Sequence, residues 1–176
     1  MANRVTIRSL LALAAVSVAV TGCGEELKVD GEPKAPSPNL TVGEQAKLTA
    51  NVSKLASSLG TVATDAGRCA NPDEIRTKGI KAVNECASKA LAGLSTTVNS
   101  FRDDVTGLIG RTSGPCRTGL TTVRDDLAKA ADELKDVSGE VAEGELTPFV
   151  STTGRLTPVL AKIQGDLGST LSACRR

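Results

Sequence analysis

The residues that could do chemistry in this chain are its cysteines and two acid pairs, because the sequence contains no histidine, tyrosine or tryptophan. The lack of histidine removes the commonest general base and a usual haem ligand. No serine or threonine lies in a known catalytic motif that would make it a nucleophile. The glycines of residues 107–115, GLIGRTSGP, lead into a turn without the lysine of a phosphate-binding loop. The sequence therefore predicts a protein that is not an enzyme and that needs no cofactor.

The spacing of the cysteines favours disulfides over metal or redox chemistry. The five are Cys23, Cys69, Cys86, Cys116 and Cys174. The gaps between the last four are 17, 30 and 58 residues, and no Cys-x-x-Cys occurs. Zinc sites and redox pairs usually need that close spacing. We therefore expect two structural disulfides and no metal, although spacing alone does not choose among the three pairings that four cysteines allow.

The N-terminus carries a basic region, an apolar stretch and then a cysteine. Arg4 and Arg8 precede residues 10–20, an apolar stretch of about a dozen residues, whereas a membrane-spanning helix needs roughly 20. The block Val20-Thr21-Gly22-Cys23 follows. An aliphatic residue and two small residues before a cysteine resemble the lipobox of bacterial lipoproteins. On this resemblance, residues 1–22 are a signal peptide that is cleaved off.

The lipobox resemblance implies that the Cys23 thiol receives a diacylglyceryl group, with acyl chains such as palmitate. Two chains give stable membrane attachment, so the protein would sit on the extracytoplasmic face of the cell membrane. Gly24 stands where an aspartate would retain a lipoprotein in the inner membrane, so a host with two membranes could carry it in the outer one. The alternative is an ordinary secretory signal in which Cys23 has no special role.

The mature chain is predicted to be a tether followed by one domain. Removing Arg4 and Arg8 with the signal peptide leaves 19 basic and 20 acidic residues, so no basic tract is left to bind nucleic acid. Residues 23–39 comprise the lipidated cysteine and a polar stretch with three prolines, which indicates a flexible tether. Residues 40–176 have the usual length of a single domain.

Apolar residues recur every three or four positions in this domain, which is the period of an amphipathic helix. The four series are Leu48, Val52, Leu55, Leu59, Val62, Ala66 and Cys69; Ile80, Val83, Ala87, Ala90, Leu94, Val98, Phe101, Val105 and Leu108; Cys116, Leu120, Val123, Leu127, Ala130, Leu134, Val137 and Val141; and Leu156, Leu160, Ile163, Leu167, Leu171 and Cys174. They predict helices over 41–69, 72 or 80–109, 115–142 and 147–174. Similar lengths and short connections favour an all-α, up-down-up-down four-helix bundle.

Local signals predict where these helices begin and break. The stretches 41–44 and 71–74 have the spacing of capping boxes, and the second has proline at the first helical position. Thr147 is expected to cap the fourth helix, with Pro148 as its first residue. Pro158 should kink or restart that helix, because proline removes a helical hydrogen bond. The repeat of Leu-Thr-Pro at 146–148 and 156–158 favours a restart, with the break near Gly154.

The bundle geometry chooses the disulfide pairing. With the first helix running up, Cys116 and Cys174 both lie at the bottom, so they should pair and leave Cys69 for Cys86. A second helix that ran unbroken from Pro72 would place Cys86 about 20 Å down its axis, too far for a disulfide. The pairing therefore predicts that residues 70–79 form a loop or a short separate turn, and that the main helix starts at Ile80.

Two acid pairs, Asp103-Asp104 in FRDDV and Asp125-Asp126 in VRDDL, have two interpretations. One is a carboxylate cluster for a cation or for the basic patch of a partner. The other, which we favour, is a solvated helix face on which arginine and aspartate pair locally.

The sequence as a whole predicts a membrane-anchored, extracytoplasmic helical module that binds an envelope protein or another envelope component without catalysis. Such a module should have a solid core and a binding surface on one helix pair. The alternative is a carrier of a lipid or another apolar ligand, because the small alanine and glycine residues of the helix seams could leave a cavity. A carrier should show an internal apolar pocket of several hundred cubic ångströms.

Overall fold

The computed structural model describes residues 36, 37 and 39–175, and these form a four-helix bundle. The helices are α1 (Val42–Cys69), α2 (Pro72–Ile109), α3 (Gly114–Ala142) and α4 (Thr147–Ala173). α1 packs against α2 and α4, and α3 packs against the same two helices, so neighbours in the chain are neighbours in space. The predicted all-α, up-down-up-down bundle with two disulfides is confirmed.

The first helix begins at the capping box that the sequence predicts. The backbone N–H of Glu44 donates to Thr41 Oγ1 at 3.2 Å, and the backbone N–H of Thr41 donates to Glu44 Oε2 at 2.9 Å. At the start of α2, the Asn71 side chain accepts from the backbone N–H of Asp73 at 3.0 Å. Both caps satisfy N–H groups that have no partner inside the helix, which is why the helices begin there.

A glycine interrupts α2 where the disulfide pairing needs a break. Gly79 has φ 77° and ψ 164°, values that a residue with a side chain rarely adopts. Helical turns lie on both sides of it, so the long part of α2 starts at Ile80. This break brings the Cα atoms of Cys69 and Cys86 to 5.8 Å. One detail of the prediction is wrong: Ile80, placed on the apolar stripe, is 51% exposed, because it lies directly after the break.

Two predictions about α4 are wrong. The helix runs without a break from Thr147 to Ala173 and includes Pro158, so it is not restarted. Pro158 and Gly154 both lie on the exposed face, where water can satisfy the carbonyl group that the proline leaves without a partner. The N-cap is Leu146, not Thr147, and it makes no side-chain cap bond. Leu146 packs against the core, which starts the helix one residue earlier.

The bundle core is built from the predicted stripes and two aromatic rings. All eight stripe residues of α3 are buried, as are Phe101 and Phe149. Leu91, which the second series omits, is also buried. Most core side chains are leucine, valine and alanine, so the helices can approach closely.

The chain enters this bundle at one end, which we call the tether end and define as residues 37, 39–45, 109–118 and 171–175. The backbone N–H of Ser37 donates to the carbonyl of Arg111 at 3.0 Å, and the N–H of Ser113 donates to the carbonyl of Ser37 at 3.0 Å. Leu40 is buried. The last residues of the predicted tether therefore pack on the bundle, because these backbone bonds hold them against the α2–α3 loop.

A close approach of α3 and α4 gives a prediction for Gly119. A methyl group at this position would lie 2.9 Å from Thr170 Cγ2, inside van der Waals contact. We expect Gly119→Ala to destabilise the fold by about 1–3 kcal/mol, because the two helices must move apart. Gly139→Ala on the same helix meets nothing within 4 Å and should stabilise by up to about 1 kcal/mol. Urea unfolding of both variants tests this, and equal midpoints would contradict it.

Candidate functional site

The four cysteines of the bundle form two bridges at opposite ends. Cys69 is bonded to Cys86, and Cys116 is bonded to Cys174 with their Cα atoms 4.6 Å apart. These are the pairs that the bundle geometry selects. One bridge joins α1 to α2 and the other joins α3 to α4, so each helical hairpin is closed by its own disulfide. Cys23 lies outside the described residues, and its lipidation stays a prediction.

Each acid pair is split between the surface and a helix interface. Asp103 and Asp125 are exposed, and Asp125 accepts from Arg124 at 2.7 Å. Asp104 instead accepts from Lys47 at 2.7 Å on α1, and Asp126 accepts from Lys162 on α4. The predicted solvated face with local pairing therefore holds for Asp125 but is wrong for the second acid of each pair.

The structure also separates the two acid pairs, so they form no joint cation site. The second acid of FRDDV faces α1 and the second acid of VRDDL faces α4, on different sides of the bundle. Among the side chains that the structure describes, no group of three or more Asp, Glu or Cys residues converges to hold a metal ion. The carboxylates serve as contacts between helices.

Asp126 is the centre of a charged cluster between α3 and α4. This residue is only 3% exposed, and its carboxylate accepts from Lys162 Nζ and, at 3.5 Å, from Lys129 Nζ. Lys162 Nζ also donates to Asp166 Oδ2 at 2.7 Å. Burial opposes ionisation of Asp126, but the hydrogen bonds outweigh it and hold its pKa below the usual value. The hydrogen bonds to Asp126 and then Asp166 raise the pKa of Lys162 above 10.5.

These pKa directions decide what the cluster can do. A general acid or base works best when its pKa lies near the working pH. The carboxylate pKa moves down and the ammonium pKa moves up, so both groups stay charged at neutral pH. The arrangement therefore suits a permanent ionic contact between helices and not proton transfer.

The pKa shifts of the carboxylates also predict that the free energy of unfolding depends on pH. The pKa values of Glu44, Asp104 and Asp126 are all lowered. A carboxylate with a lowered folded pKa contributes stability above its unfolded pKa, and this is lost as pH falls through the folded value. We expect the free energy of unfolding to fall below about pH 4, and Asp126→Asn to flatten this decline. Urea titrations between about pH 3 and pH 7 measure it, with exposed Asp125→Asn as control. Equal slopes for both variants would contradict the prediction.

A groove of about 390 Å³ runs between α1 and α2 beside the Cys69–Cys86 bridge. We call it the α1–α2 groove. Its lining includes Thr61, Asp65, Arg68, Lys89 and Gly93. Arg68 is exposed and lies 3.5 Å from Asp65, and Lys89 is also exposed. The lining therefore offers two cations and one carboxylate, with no side chain at Gly93 to fill the groove.

The interior of the bundle holds a small apolar cavity where all four helices meet. Its lining includes Leu55, Leu94, Ala130 and Ile163, and its volume is about 20 Å³. A volume of this size is close to the room that one water molecule needs. The carrier alternative predicts several hundred cubic ångströms, so the described core lends it no support.

Two buried polar residues of the helix interfaces were not predicted. Asn51 donates to Asp104 Oδ2 at 2.8 Å, and Asp126 binds Lys162. Their spacing contained a signal: Asn51 lies three residues after Leu48, and Asp126 lies three residues after Val123. Both therefore occupy stripe positions, where a polar side chain has to find a partner on the next helix.

Neither the composition of the helices nor the comparisons with known proteins identify a function for these sites. Between Val42 and Ala173, no helix combines the length and the apolar character that crossing a bilayer requires. Comparison of the chain with protein-family models, with curated proteins and with solved structures finds no match.

Proposed function

We propose that the protein is a lipid-anchored interaction module on the extracytoplasmic face of the cell membrane, and that it does no catalysis. In this proposal Cys23 carries the anchor and the α1–α2 groove binds a protein of the cell envelope. The observation that carries the binding proposal is the position of the groove. It lies toward the end of α1 that is opposite to the tether end, so a membrane anchor leaves it open to a partner.

The chemistry of the α1–α2 groove supports an acidic protein segment as the partner. Arg68 and Lys89 are exposed and outnumber the half-buried Asp65 in the lining. The Cys69–Cys86 bridge holds both walls in place, so little freedom is lost when a partner binds. Gly93 leaves space for a side chain of the partner.

The charged groups of the bundle support a role without catalysis. Asp126 and Lys162 are paired and stay charged at neutral pH, and Asp104 is paired with Lys47. Neither pair is matched to proton transfer near neutral pH. The α1–α2 groove contains one serine and one threonine but no histidine to activate them.

Site-specific photocrosslinking in intact cells tests the α1–α2 groove. A photoreactive amino acid replaces Thr61 in the groove or, as a matched control, exposed Asp136 on α3. We expect a defined adduct from position 61 and none from position 136. Charge reversal by Arg68→Glu with Lys89→Glu should remove the adduct, because an acidic partner would then be repelled. An adduct that survives the reversal, or equal adducts from both positions, would overturn the proposal.

A further inference from the structure

The chain reaches the bundle at one defined end. The backbone bonds of Ser37 to the α2–α3 loop hold it there, and 13 residues, 24–36, separate it from Cys23. Fully extended, such a segment spans roughly 50 Å, and as a flexible coil it averages about 20 Å. If Cys23 is anchored in the membrane, the tether end is the place where the anchored segment joins the bundle.

The tether end is basic. Its charged residues are Arg111, Arg117 and Arg175 against Glu44. Arg117 is exposed and has no carboxylate partner within the described residues, and Arg175 donates to the neutral Gln45 side chain at 2.9 Å. Arg111 lies 3.3 Å from Glu44 and still leaves 68% of its side chain exposed. Three guanidinium groups are thus presented at the end where the tether joins.

The opposite end of the bundle has the reverse balance. Residues 70–80 and 142–147, which lie at this end, contain four acidic and two basic residues. Exposed apolar side chains occur at both ends, Val42 (66% exposed) at the tether end and Ile80 (51% exposed) at the opposite end, so the balance of charge is what distinguishes them. A bundle with one basic and one acidic end will turn the basic end toward a surface of negative charge.

We propose that the tether end binds the anionic lipid headgroups of the membrane in which Cys23 is anchored. Guanidinium groups donate two parallel hydrogen bonds to phosphate oxygens, and Val42 would contact the headgroup layer. The tether keeps the end at a high local concentration of lipid, so weak individual contacts suffice. Binding in this way orients the bundle and directs the α1–α2 groove away from the membrane. The inference rests on the lipid anchor of the proposed function.

Energy transfer on vesicles tests this orientation. The lipidated protein, with the diacylglyceryl group on its Cys23 thiol, receives one new cysteine for a donor dye, either Gly110→Cys at the tether end or Glu145→Cys at the opposite end. Both positions are exposed, and a side chain at 110 meets nothing within 4 Å. The acceptor dye sits on the headgroups of phosphatidylcholine vesicles, either pure or with about one-third phosphatidylglycerol.

We expect donor transfer from position 110 to rise about twofold or more on the anionic vesicles, and to fall again at high salt. Transfer from position 145 should fall, because that end turns away. Replacing Arg111, Arg117 and Arg175 by glutamine should abolish the difference between the vesicles. The control variant replaces exposed Lys54, Lys81 and Lys135 on the sides of the helices by glutamine, which also removes three positive charges. It should keep the difference between the two kinds of vesicle.

Equal transfer from position 110 on both vesicles would overturn the inference, as would equal effects of the two triple variants. These outcomes differ from a failure of the anchor itself. If Cys23 carries no diacylglyceryl group, mass spectrometry shows no lipid on the N-terminal peptide and the protein does not stay on either vesicle. If the protein is anchored but its energy transfer is the same with and without anionic lipid, only the headgroup contact is refuted and the lipid anchor is not.

Discussion

Replacing Cys23 by alanine is expected to abolish lipid attachment completely. The wild-type chain should lose residues 1–22, incorporate labelled palmitate and partition into the detergent phase of a Triton X-114 extract. Cys23→Ala has no thiol to form the thioether, so it should incorporate no palmitate and remain uncut between residues 22 and 23. The effect is large because both acyl chains of the diacylglyceryl group are expected to be attached through the Cys23 thiol, so the variant has no chain to hold it on the membrane.

The adjacent substitution Gly24→Ala is the matched control for the anchor. It changes the residue next to the cysteine and leaves the thiol in place, so palmitate incorporation should equal that of the wild type. Palmitate on the Cys23→Ala protein would show that Cys23 is not the site of attachment. A wild-type protein recovered wholly in the aqueous phase would show that residues 1–23 are an ordinary secretory signal.

Removing the Cys116–Cys174 bridge is the second large expected effect. The bridge closes a segment of 58 residues, and Cys69–Cys86 closes one of 17. A crosslink stabilises a fold mainly by reducing the entropy of the unfolded chain, and more so for a longer loop. We expect Cys116→Ala with Cys174→Ala to lower the free energy of unfolding by up to about 4 kcal/mol, and Cys69→Ala with Cys86→Ala by up to about 3 kcal/mol. Urea unfolding at neutral pH measures both.

The first of these losses is a large share of the 5–15 kcal/mol by which domains are usually stable. Replacing both cysteines of a bridge avoids a free thiol, and alanine avoids burying a new hydroxyl group at Cys116 and Cys174, which are fully buried. A larger loss for the 17-residue bridge than for the 58-residue bridge would contradict the entropic explanation.

Accessibility gives an independent check on the two bridges. Cys86 is partly exposed, whereas Cys116 and Cys174 have no exposed surface. A reductant added to the folded protein should therefore open Cys69–Cys86 first. Alkylating the free thiols at successive times and identifying them by mass spectrometry gives the order in which the two disulfides are reduced. Simultaneous reduction would indicate that the whole bundle unfolds before either bridge is reduced.

The stripe of α3 shows how far periodicity predicts this fold. Every residue from Cys116 to Val141 in that series is buried, because a helix whose apolar residues follow a 3.6-residue period has one face to bury. The prediction fails at Ile80 and at Pro158. At Ile80 the backbone break at Gly79 ends the period. At Pro158 the packing of α4 on the bundle keeps the helix continuous, although local preference favours a restart.

The sequence predicted less of the candidate site than of the fold. The cysteines and their pairing followed from which helix ends must meet. The α1–α2 groove did not, because its walls are surface residues such as Thr61 and Lys89 whose type is common on any solvated helix. The depth of a groove depends on how far apart two helix axes lie, and the period of either helix leaves this distance open.

The sequence by itself determined four amphipathic helices, their order and the ends at which disulfides can form, because these depend on periodicity and on local start signals. It also set Cys23 apart from the other cysteines, which leaves an even number for the bundle. Only the tertiary structure decided that Asp104 and Asp126 face neighbouring helices, that α3 meets α4 at Gly119 and that the core is nearly closed. The physical reason is that these contacts join residues far apart in the chain. Spacing within one helix shows which face is buried, but the packing of the helices selects the partner on the next.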